Sequence, residues 1–148
     1  MARRLVLLPL AALLALSFGV STVFAAHTTF TTTLSGAEEV PGPGDPNGKG
    51  FITVEVYPDG RICYEAKLQA IGQTLVGAHI HEAPAGEAGP VVVDLMPATA
   101  TRRGNVLSTC VATTAAQAAE IVANPTDYYV NIHTPEFPGG AIRGQLGD

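Results

Sequence analysis

Three of the four histidines fall in two short stretches of alternating side chains, Gly77-Ala78-His79-Ile80-His81-Glu82 and Tyr129-Val130-Asn131-Ile132-His133-Thr134. A neutral imidazole offers one lone pair. Two of them at i and i+2 on a strand can therefore reach one metal ion, and a third completes a three-nitrogen set, suited to zinc or copper, with a fourth position open. Because strand side chains alternate between faces, His79 and His81 share one side while Val76, Ala78 and Ile80 take the other. In the second stretch Tyr128, Val130 and Ile132 oppose Tyr129, Asn131 and His133. A third stretch, Ala141-Ile142-Arg143-Gly144-Gln145-Leu146, sets Ile142 and Leu146 against Arg143 and Gln145. Pairing of the three strands would merge their polar faces and bring His79, His81 and His133 together, with Asn131 and Arg143 beside them.

The same cluster also suits a hydrogen-bonded ladder across one sheet, since imidazoles both donate and accept. Catalytic residues are harder to place. There is no Gly-x-Ser-x-Gly elbow, neither cysteine sits in an activating context, and Glu82 falls on the face opposite the histidines. Glu38 and Glu39 are neighbours whose side chains diverge. They read as an exposed loop pair rather than paired carboxylates. The His79–His81 segment resembles the paired copper-ligand histidines of secreted copper/zinc superoxide dismutases, which are also β-sandwich proteins. The bridging histidine and full zinc set of those enzymes have no counterpart: no histidine lies between His81 and His133, and His27 is at the start of the mature chain. The expectation is a noncatalytic binding or structural domain that takes copper, zinc or a small ligand on the histidine face, with a copper/zinc-dependent enzyme as the alternative.

The elements that carry these residues follow a leader. Arg3 and Arg4 precede an apolar run from Leu5 to Val20, and Val23-Phe24-Ala25 offers a small-residue cleavage site, so residues 1–25 read as a signal peptide and 26–148 as one exported domain. Losing Arg3 and Arg4 from eight basic residues leaves six against thirteen acidic ones, a formal charge of −7. With Arg102-Arg103 the only adjacent basic pair, nucleic acid is excluded as a partner. Partners are expected among extracellular proteins or small ligands, with no membrane attachment once the leader is gone. Two cysteines in an oxidising compartment imply a Cys63–Cys110 disulfide, and Cys63 lies opposite the apolar face formed by Ile62, Tyr64, Ala66 and Leu68. Aromatic residues make up 6% of the chain, without tryptophan, so the core must come mainly from aliphatic packing.

Alternation predicts a strand over Thr28–Leu34, then a Pro- and Gly-rich connecting loop from Ser35 to Gly50. A hairpin through Pro58-Asp59-Gly60 has Ile52, Val54 and Val56 on one arm and Ile62 to Leu68 on the other. A second hairpin joins 74–82 to Val91–Leu95, where the run Val91-Val92-Val93 suggests a strand buried on both faces. Another strand falls in 105–112. Thr114-Ala115-Ala116-Gln117 has capping-box form and opens a short peripheral helix that Asn124-Pro125 ends. Strands at 128–133 and 141–146 close the chain. The pattern is an all-β, antiparallel Greek-key sandwich or squat barrel of about eight strands with one short helix.

Three words in this order, "SGAEEVPG", "GAHIHEAPAGEAGPVVVDL" and "YYVNIHTPEFPGGAIRGQL", closely resemble the CHRD domain, a chordin-type domain also found as a single domain in secreted microbial proteins. The resemblance spans roughly residues 30–146 and implies a secreted β-rich domain. Two positions depart from the family pattern. Ala141 stands where the family often has Glu, which removes an acidic partner for Arg143, and Gly42 replaces a second proline after Val40-Pro41.

Overall fold

Apolar residues at every second position make strands with one buried face, and the first three strands follow that rule closely. In the computed structural model, which describes residues 26–98 and 100–147, β1 (Thr28–Ser35), β2 (Lys49–Val56) and β3 (Arg61–Gln69) form an antiparallel meander. On β3, Ile62, Tyr64, Ala66 and Leu68 are buried, and the residues between them are half-buried or exposed. The β2–β3 turn needs Gly60. Its φ is +92°, a conformation costly for an L side chain, and its N–H donates to Tyr57 O at 3.0 Å. The expected leader, residues 1–25, lies outside the described residues.

The chain continues as the hairpin β4 (Gly77–Glu82) and β5 (Val91–Asp94), the hairpin β6 (Thr101–Arg103) and β7 (Val106–Ala112), helix α1 (Ala115–Ala123), β8 (Tyr128–His133) and β9 (Ile142–Gln145). All pairings are antiparallel, in the order β5-β4-β8-β9-β1-β2-β3-β7-β6. This is one sheet curled into a half-barrel. Its last strand, β9, returns beside its first, β1. The fold class expected from sequence therefore holds, with nine strands. The extra one, β6, has only three residues, too few to show a period.

The sheet wraps around one aliphatic core that includes Leu34, Ile52, Val54, Ile80, Val130 and Ile142, each at most 1% exposed. The Tyr64 hydroxyl crosses this core to donate to Leu95 O, tying β3 to the segment after β5. Helix α1 begins where Thr114 Oγ1 accepts the Gln117 N–H at 3.0 Å, and it turns Ala118 and Ile121 onto the core. Cys63 and Cys110 sit directly opposite one another on β3 and β7 and are disulfide-bonded, with Cα atoms 4.0 Å apart.

Two facial assignments need correction. Val76, expected inward with Ala78 and Ile80, is 55% exposed, because the ladder with β8 starts at Gly77 and a side chain beyond it is not held to the pleat. The Val91–Val93 run is not buried on both sides. β5 is an edge strand paired only with β4, so Val91 is 51% exposed and only Val93 enters the core.

Candidate metal centre

Register places the polar side chains in rows across β4, β8 and β9. His79 pairs with Asn131 and Asn131 with Arg143; in the next row His81 pairs with Tyr129 and Tyr129 with Gln145; Gly77 lies opposite His133. All therefore share the face away from the aliphatic core, as alternation predicts. That face is nonetheless largely covered. His81, Asn131, His133, Arg143 and Gln145 are all buried, and His79 is half-buried.

Loops make the cover. The β4–β5 connection is held by Arg143, whose Nη1 donates to Glu87 O at 2.7 Å and Nη2 to Pro84 O at 3.1 Å, and by Gln145 Nε2, which donates to Ala83 O at 2.8 Å. The guanidinium also lies 3.4 Å over the Tyr129 ring, and that ring stacks on His81 with a 6° interplanar angle. Arg143, 2% exposed, thus fixes both the loop and the aromatic surface against which His81 rests.

Two of the three rings are oriented by loop carbonyls. His81 Nδ1 donates to Gly89 O at 2.9 Å, and His133 Nδ1 donates to Pro138 O at 3.0 Å. A neutral imidazole carrying its proton on Nδ1 has its lone pair on Nε2. His81 Nε2 is buried without a hydrogen-bond partner. His133 Nε2 faces His79 Nδ1 at 3.0 Å and Asn131 Oδ1 at 2.9 Å. Gly77 makes this approach possible. A Cβ there would stand 2.9 Å from His79 Cε1 and 3.3 Å from His133 Cδ2.

One ligand nitrogen from each histidine lies within 4.8 Å of the others. Nitrogens around a tetrahedral zinc are roughly 3.3 Å apart at bond lengths of about 2.0–2.1 Å, so small ring rotations bring the three lone pairs onto one ion. Electrostatics favour the neutral form of His79 and of His133. Burial lowers the pKa of His79, with His133 and His81 adding repulsion against a partial lift from Asp94. Burial also lowers that of His133, and repulsion from His81 acts in the same sense against a lift from the Pro138 hydrogen bond.

The three sequence words that suggested a family thus occupy the loop after β1, the β4–β5 hairpin and the β8–β9 pair, the parts that build this centre. A family model, the CHRD domain, matches residues 30–146. The chain belongs to the CHRD domain family. No curated protein and no solved structure gives a significant match.

Within this CHRD domain one sequence expectation is overturned: Glu39 is not an exposed loop residue. It is 6% exposed, with Oε1 buried and unpartnered, and desolvation pushes its pKa up to about 7 against the opposing pull of Arg143 and the Asn131 amide. Gly140, with φ +145°, leaves the space its carboxyl occupies; a Cβ there would collide with the Glu39 carboxyl. Ala141 does not leave Arg143 without acidic company, since Glu39 lies near enough to interact with it electrostatically. The Ser35–Gly50 segment is accordingly more than a connection. Glu38 stays exposed, and nothing local in the pair Glu38-Glu39 separates their fates. Tyr129, Gln145 and Gly77 were visible only as members of their stretches, because their roles depend on which strand lies opposite.

Proposed function

We propose that this CHRD domain is an exported, noncatalytic metal-binding module that holds one divalent ion, zinc or copper, on His79, His81 and His133. The observation that carries this reading is the orientation of two buried imidazoles. His81 and His133 each have Nδ1 fixed by a backbone carbonyl, so each turns an Nε2 lone pair toward the same space. Donation of the far ring nitrogen to a carbonyl is how metal-bound histidines are commonly held. A ladder of neutral hydrogen bonds would leave the His81 lone pair without a partner, at a desolvation cost of about 1–3 kcal/mol.

The noncatalytic part of the reading is supported by the loop cover over the site, under which His81, Asn131, His133, Arg143 and Gln145 are buried and His79 is half-buried. Export is supported by the leader-like segment 1–25 and by the Cys63–Cys110 bridge.

Calorimetric titration of the mature protein with zinc and with copper tests the proposal. One-to-one binding that disappears in the His79→Ala, His81→Ala double variant is expected. Absence of binding in the parent, or equal binding in the variant, contradicts it.

A further inference from the structure

We infer that the amide oxygen of Asn131 is the fourth donor of the centre. The inference rests on the three-histidine reading and adds a ligand to it. Asn131 is 3% exposed and sits between the histidine rows, paired across the sheet with His79 on one side and Arg143 on the other. Its Oδ1 is 2.9 Å from His133 Nε2, the nitrogen that also faces His79 Nδ1 at 3.0 Å.

These contacts cannot all be hydrogen bonds of a neutral ring. His133 Nδ1 faces the Pro138 carbonyl and Nε2 faces the Asn131 carbonyl, two acceptors for the single proton that neutral imidazole carries. With the proton on Nδ1, a lone pair of His133 meets a lone pair of Asn131. A cation placed among His133 Nε2, His79 Nδ1, His81 Nε2 and Asn131 Oδ1 turns this repulsion into coordination and also serves the unpartnered nitrogen of His81. The donors then number four, three imidazole nitrogens and one neutral oxygen, a count that suits a closed tetrahedral site.

Cobalt(II) as a spectroscopic stand-in for zinc, combined with zinc titration, provides the test on the full mature chain. The parent is expected to give the intense visible ligand-field bands of four-coordinate cobalt. Asn131→Leu should lose about 10- to 100-fold in zinc affinity and show altered bands. Asn131→Asp, which keeps an oxygen in place and adds charge, should bind at least as tightly as the parent. Parent-like affinity and bands in Asn131→Leu overturn the fourth donor, as does weakened binding in Asn131→Asp; the latter also decides the matter should the leucine variant fail to fold. If the parent itself takes up neither ion, the three-histidine reading fails, which is distinct from a parent that binds and is indifferent to residue 131.

Discussion

Strands β3 and β8 are both central members of the same sheet, yet water treats them differently. On β3 burial alternates residue by residue, whereas all six residues of β8 are buried. The inner faces are alike, aliphatic and packed on one core. The outer faces differ because β3 and its neighbours are left to solvent, while β4, β8 and β9 are roofed by the loops that Arg143, Gln145 and His133 anchor. Polar side chains under a roof must find partners or a ligand, and that obligation makes the second region a candidate site and the first a scaffold.

The scaffold region should depend most on its covalent tie. Cys63→Ala with Cys110→Ala opens a loop of 47 residues' separation, and the chain-entropy model gives a loss of roughly 4 kcal/mol. Chemical denaturation of parent and double variant measures it; a loss well under 1 kcal/mol would show that the meander needs no staple.

In the roofed region the largest effect should come from Arg143→Ala. The substitution strips the Pro84 and Glu87 carbonyls of their donor and uncovers the Tyr129 ring, at a cost of about 3 kcal/mol. Lys67→Ala on the open outer face of β3, where the lysine makes only an exposed ion pair with Glu65, should change stability by less than about 0.5 kcal/mol. Similar losses at the two positions would erase the distinction between the faces.

Glu39 sharpens the comparison through pH. Its carboxyl titrates near 7 in the folded chain and at 4.5 when unperturbed, so the native state holds the proton more tightly. Its favourable contribution is complete below about pH 4.5 and is lost as pH rises through 7. Glu39→Gln has no such proton to lose. In metal-free protein its stability relative to the parent should therefore improve as pH rises from 4.5 to 7, by at most about 1.4 kcal/mol per pH unit. The lowered histidines act in the opposite sense, adding stability as pH rises toward 6.5, but they are common to both proteins and cancel in the difference. A difference that stays flat with pH would place Glu39 in water.

What could be read from the sequence follows the same division. Period-two patterning located the meander and the shared face of His79, His81, His133, Asn131 and Arg143, and capping-box form located the helix with its Thr114 cap, because each is a property of one strand or one helix end. The roof was not legible. Whether an outer face is covered depends on where loops of the other strands fold back, which explains why Glu39 read as an exposed neighbour of Glu38 and Val91 as part of a buried run. Pairing partners were equally hidden, so the role of Gly77 as the gap between His79 and His133 emerges only once β4 and β8 are in register.

The central claim is that backbone carbonyls set the histidine tautomers and so aim the lone pairs of His81 and His133 into one space. Nitrogen NMR of the imidazole rings in metal-free protein above pH 7 tests it most directly. The account predicts protonated Nδ1 and bare Nε2 at both residues, with the Nε2 signals moving on addition of zinc; an Nε2-protonated ring at either position, unmoved by zinc, would contradict it.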